Sequence, residues 1–191
     1  TLVVTGGSNS LTLSMGNNVA NTDITVVGGI GGVTTLTLQN VGGVALLVGD
    51  MDVTTLSVDN TVANVRISDN NSSGNGSTVV NAVSFANDGT LELGLSSTTQ
   101  TYNGGLTTTS VGGTVTLRGT IATSNDAVVL GAVTLGSAVT IDTNATSNAA
   151  DITVAAITGG SNNLTLSTGN NIAGADITAS GAISGLGNLT L

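Results

Sequence analysis

"ITGGSNNLTLSTGNNIAGADITASGAISGLGNLTL", residues 157–191, carries its own repeat. The Asp-Ile-Thr of 176–178 repeats that of 151–153, and the Asn-Leu-Thr-Leu of 188–191 repeats that of 163–166, both at a step of 25. Near the start of the chain, Leu-Thr-Leu at 11–13 returns at 36–38, again a step of 25. Between these steps, apolar-x-apolar triplets alternate every 12 or 13 residues, as in Ile152-Thr-Val154, Leu164-Thr-Leu166 and Ile177-Thr-Ala179. Side chains alternate across a strand, so the two aliphatic residues of a triplet point one way and the central Thr the other. A short strand followed by a Gly/Asn turn, recurring at a fixed step, is the pattern of a solenoid. One coil cannot bury its own aliphatic side chains; the next coil, stacked about 4.8 Å above, buries them in a continuous column. Gly and Asn suit the corners because they tolerate positive φ.

A longer repeat encloses the short one. Residues 3–38 align without a gap with residues 156–191 at an offset of 153, with 22 of 36 pairs identical. This is an internal duplication. The fold expected from both periods is an all-β, right-handed parallel β-helix (a β-solenoid), with about 25 residues per coil and roughly seven or eight coils. Residues 1–191 read as a single solenoid segment of a longer chain. The middle, 39–110, is less regular. The aliphatic-free stretch "SDNNSSGNGST", 68–78, and "SSTTQTYNGG", 96–105, are expected to be loops bulging from the column. Leu11, Leu13, Leu36, Leu38, Leu164, Leu166, Leu189, Leu191, Ile24, Ile152 and Ile177 are expected to face inward. The duplication is in register at Leu191, so residues resembling 39–53 are expected to follow. A unit of 153 residues taken as about six coils would rise about 29 Å.

Composition narrows the chemistry. The 191 residues include 28 Gly, no Pro, Cys, His or Trp, and one Tyr and one Phe. The aliphatic content argues against disorder, and the abundance of β-branched residues favours strands. The only cations are Arg66 and Arg118, against eleven acids, for a net charge of −9. Such a chain cannot neutralise many phosphates, which argues against a nucleic-acid partner. No apolar run approaches the length of a membrane-spanning helix, so membrane insertion is not expected. The absence of Cys rules out disulfides and thiolate metal sites.

No catalytic residue is assigned, and the chain is read as a non-enzyme. A nucleophilic triad wants a His base and a Schiff base wants Lys; neither residue type occurs. Two carboxylates can cleave a glycosidic bond, and Asp50 and Asp52 stand two apart, but a solvated turn entering the strand 53–58 accounts for them. No cofactor is expected. Asp23, Asp151 and Asp176 recur before strands. They are read as turn caps, with calcium ligation as the alternative. The calcium-binding repeat Gly-Gly-x-Gly-x-Asp is absent.

The outward Thr residues form a further pattern. At a step of about 25, Thr116, Thr140, Thr165 and Thr190 are expected on one face, and Thr153 and Thr178 on another. Leu47, Arg66, Glu92 and Val129 interrupt these ladders. Flat Thr arrays can order water, but Thr is also simply a good strand residue with a solvent-compatible hydroxyl.

Motifs such as "NLTL", "DITV", "GGTVTL", "QTYNGGLTT" and "VVLGAVTLGSAVTI" resemble the Gly/Thr/Asn-rich repeats of filamentous-haemagglutinin-like exoproteins and related β-strand-repeat adhesins, giant bacterial surface proteins. The resemblance spans nearly the whole chain. It implies a right-handed parallel β-helix serving as part of a secreted or cell-surface stalk or fibre. The expected partners are then a continuing chain or an end-to-end copy. The alternative is a carbohydrate- or cell-binding module that meets surface glycans through the 68–78 and 96–105 loops, with Tyr102 as its aromatic platform.

Overall fold

The computed structural model describes residues 4–17, 19–68, 76–146, 150–169 and 172–191. Among these the regular elements are all strands, the pairings between them are parallel, and they stack as a β-solenoid of about seven turns spaced about 24 residues apart.

Each turn contributes three strand segments, and each segment pairs with its counterpart in the turns above and below. Three columns result. The first runs from Val4 through Ile30 to Met51, and later through Ile121, Ile141 and Leu166. The second holds Leu11, Leu36 and Leu56, then Val83, Leu106, Val128, Ile152 and Ile177. The third holds Ile24, Ala45, Val65, Leu91, Val115, Val133, Ile157 and Ile183. The sequence shows two triplets per 25-residue step because the third segment hides. In the strand Ile152–Thr158, the chain passes from the second column to the third through Ala155 and Ala156 without a Gly/Asn turn.

The interior follows from side-chain alternation. Leu36, Leu38, Ile67, Leu91, Leu117, Ile141 and Ile152 are completely enclosed. Leu164 and Leu166 are buried as expected, while Leu11, Leu13, Ile24 and Ile177, in the outermost turns, are half-buried. Leu189 keeps the inward register of Leu164, but it and Leu191 lie at an open edge and are 46% and 77% exposed. Among the described residues nothing stacks on that edge, and in a solenoid the covering coil supplies the burial.

Corners are made by residues in the left-handed region. Asn21, Asn40, Asn125 and Asn144 have φ between 47° and 70°. Their short amide side chains make that conformation tolerable. Turn length varies: along the third column Val115 pairs with Val133, a step of 18, while Val65 pairs with Leu91, a step of 26. The 18-residue strand Val128–Ala145 rounds an entire turn with almost no loop.

These short turns change the meaning of the long repeat. Val4 lies in the first column, and six turns later that column reaches Ile141. Ile157, the counterpart of Val4 at the 153 offset, lies two segments further on, in the third column. Likewise Leu11 and Leu36 are in the second column and their counterparts Leu164 and Leu189 in the first; Ile24 is in the third and Ile177 in the second. One repeat therefore spans six and two-thirds turns, about 32 Å of rise at the usual strand spacing. The expectation of six turns divided 153 by 25 and missed the turns shorter than that.

The loop expectations divide. Of 68–78, residues 69–75 lie outside the described residues, and Ser77–Val79 is a strand. The 96–105 segment is not one loop: Thr99–Tyr102 is a strand, paired on both sides with Ser77–Val79 and with Thr120–Ala122. Its alternation places Gln100 and Tyr102 inside the column.

Candidate functional site

Two side-chain clusters stand out from the aliphatic ladders, one inside the column and one on its surface. The interior cluster starts from Tyr102, which is 1% exposed. Its phenol O–H donates to Gln100 Oε1 at 3.0 Å, and Gln100 Nε2 donates to the Ile67 carbonyl at 2.8 Å. Phe85 meets the Tyr102 ring edge-on with centroids 6.4 Å apart. Burial pushes the phenol pKa well above its ordinary value of 10. Below Gln100 in the same column, Ser77 Oγ accepts from the Met51 amide at 3.1 Å. Polar side chains here fill positions that aliphatics fill elsewhere in the column, and their hydrogen bonds tie three successive turns together. The exposed aromatic platform expected at Tyr102 is thus absent; the ring is a core residue.

The surface cluster lies on the third column. Arg66, Glu92 and Thr116 occupy successive rungs at the outward central position, with Arg118 two residues beyond Thr116. Glu92 receives both cations of the chain: Arg118 Nε lies 2.9 Å from Oε1 and Arg66 Nε 3.6 Å from Oε2. Arg118 Nη1 also donates to the Gly136 carbonyl one turn further on, and any Cβ at Gly136 would strike the guanidinium. Four turns are linked in this way. The spacing of 26 from 66 to 92 and again from 92 to 118 was visible in the sequence, close to one coil. Both Arg residues therefore face Glu92, not the Asp50–Asp52 pair. Asp52 points outward from the strand Met51–Val58, and Asp50 sits half-buried at the corner before it.

Two of the three recurrent Asp residues, Asp23 and Asp151, cap backbone amides with their carboxylates. Asp23 Oδ1 accepts from the Val44 amide at 2.7 Å, and Asp151 Oδ1 accepts from the Asp176 amide at 2.9 Å. Each cap reaches up to the next coil, where the expectation was a cap on its own turn. Asn64 does the same, its Oδ1 accepting from both the amide and the hydroxyl of Thr90 at 2.9 Å. Among the described residues no group of three or more His, Cys, Asp or Glu side chains comes together as a metal site.

The hydroxyl ladders are real but regrouped. Thr120, Thr140, Thr165 and Thr190 share one ladder of the first column. Thr116 belongs elsewhere, stacked on Glu92 and beneath Thr134 in the third column, because the Val115-to-Val133 turn is short. Thr153 and Thr178 stack as expected, with Val129 beneath them. The interruption expected at Leu47 falls instead at Leu46, which pairs with Arg66 and faces outward, while Leu47 is buried.

Grooves along the column have mixed linings, such as the one bounded by Asp52, Thr54, Thr78 and Val80. No helix among the described residues is long and apolar enough to cross a membrane. No family model, curated protein or solved structure matches the chain. The class of protein is therefore defined by its fold: a three-column parallel β-solenoid built on an internal duplication.

Proposed function

We propose that this solenoid is a structural segment of an extracellular bacterial fibre or adhesin stalk, working mechanically and without catalysis. One observation carries the reading: the third column stacks eight strand segments, from Ile24 to Ile183, in an unbroken parallel ladder. A rod of this kind spans distance, because stability accumulates from neighbouring coils along a single axis. The surface supports it. Trypsin has two target side chains, Arg66 and Arg118, and both are engaged by Glu92. The net charge of −9 favours solubility. The resemblance of the repeat text to β-strand-repeat exoproteins points the same way.

Antibodies raised against the 191-residue chain, applied to intact and to lysed source cells, test this reading. Labelling of intact cells, and of rods in negatively stained shed material, is the expected result. Antigen confined to the cytoplasmic fraction would overturn it.

A further inference from the structure

The end of the column beyond Leu166 presents an apolar strand edge. Leu189 is 46% exposed, and Ile177 and Ile183 are only half-buried. The same edge, in almost the same sequence, occurs inside the molecule with a coil lying on it. Residues 23–38 and 176–191 are identical at nine of sixteen positions, among them Asp, both Ile and both Leu. The corner between them agrees as well, with φ of 65° at Gly32 and 64° at Gly185.

On the inner copy the covering coil is residues 39–58. Ala45 lies over Ile24, Met51 over Ile30 and Leu56 over Leu36. Gly43 and Val48 donate their amides to the carbonyls of Thr22 and Val26, and Val44 donates to the Asp23 carboxylate. Beneath this coil Ile30, Leu36 and Leu38 are 2%, 0% and 0% exposed. The fit is selective. A Cβ at Gly42 would strike the Val19 carbonyl, and one at Gly43 the Asp23 carboxylate and the Thr22 carbonyl.

We propose that the edge formed by Ile177, Ile183 and Leu189 is a docking surface for one further coil with the sequence pattern of residues 39–58. That coil carries Gly-Gly where it crosses Asp176, so that its next amide reaches the Asp176 carboxylate. It enters turned by one column relative to residues 39–58, because Ile177 lies in the second column and Ile24 in the third. A surface feature encoded in the long repeat thus moves round the rod by one column per repeat and returns to its starting column after three. The inference does not rest on the fibre reading; it concerns which coil the edge accepts, wherever the chain works.

The test extends the full chain after Leu191 with a copy of Gln39–Ile67. Comparison chains carry no extension, the same extension with two of its three Gly (the copies of Gly42 and Gly43, leaving that of Gly49) changed to Ala, or a scrambled extension. Amide hydrogen exchange is read over Ile177–Thr190, with Ile152–Leu166 as the internal reference. The native extension is expected to slow exchange over Ile177–Thr190 by about tenfold or more, and the Ala and scrambled extensions are not. Unchanged exchange with the native extension, or equal protection by all three, overturns the proposal. So does loss of protection in the reference strands, since a coil that fits cannot unfold the column it caps.

Discussion

Ser8 and Ser161 are 153 residues apart, have φ of 65° and 66°, and lie at corners leading to different columns of the solenoid. The preceding Gly7 and Gly160 agree too, both at 55°. The corner is a local object, copied intact. Its direction around the axis is not copied, because that direction depends on the length of every turn between the two.

The ladder geometry makes the cost of a charge depend on position. Leu164→Asp places a carboxylate inside the column at a residue 1% exposed, and is expected to lower unfolding free energy by about 4 kcal/mol or more. Thr165→Ser, on the outward side of the same strand, should change it by less than about 0.5 kcal/mol. Leu191→Asp, at 77% exposure, should be equally mild. Chemical denaturation of the three variants checks the order; equal losses at 164 and 165 would contradict the assigned orientation.

Tyr102 gives the chain an alkaline limit. Its phenol titrates higher folded than unfolded, so the folded state favours the neutral form. The corresponding stability is complete below the unfolded value of about 10 and falls as pH rises above it, by up to about 1.4 kcal/mol per pH unit. With no Lys, no Cys and a single Tyr, no other side chain releases a proton just above pH 10. Tyr102→Phe should remove this slope in denaturation curves between pH 9.5 and 11. At pH 7 the same variant should cost about 1–2 kcal/mol, since Gln100 Oε1 loses its donor in the core.

The Arg66–Glu92–Arg118 cluster should respond to salt. Glu92→Gln removes the charge but keeps an acceptor, and is expected to cost about 1 kcal/mol at low ionic strength, shrinking toward zero in 1 M salt as screening removes the difference. Melting of parent and variant across a salt series measures it. A salt-independent difference would show that packing, not charge, makes the contribution.

The inter-coil caps predict a response to substitution at Asp23 and none to chelation. Asp23→Ala strands the Val44 amide and should cost about 1 kcal/mol, whereas Asp23→Asn keeps an acceptor and should recover most of that loss. EDTA should leave the melting temperature of the parent chain unchanged. A fall on chelation that calcium restores would assign Asp23, Asp151 and Asp176 to metal instead.

The sequence by itself determined two of the three strand segments in the regular coils, and their stacking. Apolar-x-apolar triplets fixed which side of each strand faces in, and Gly, Asn and Ser supplied the positive-φ corners; both follow from backbone sterics and strand alternation within a few residues. Recurrence near 25 then required parallel stacking, since no coil buries its own aliphatics. Tertiary structure alone decided the rest. Column membership is a running sum over turns of 18 to 27 residues, so Thr116 joined Glu92 and not Thr140, and the long repeat came back in a different column. Burial depends on what the adjacent coil provides. Tyr102, in a stretch that reads as a polar loop, is enclosed because Ser77–Val79 and Thr120–Ala122 flank its strand, while Leu191, which reads as core, is open because no described coil covers it.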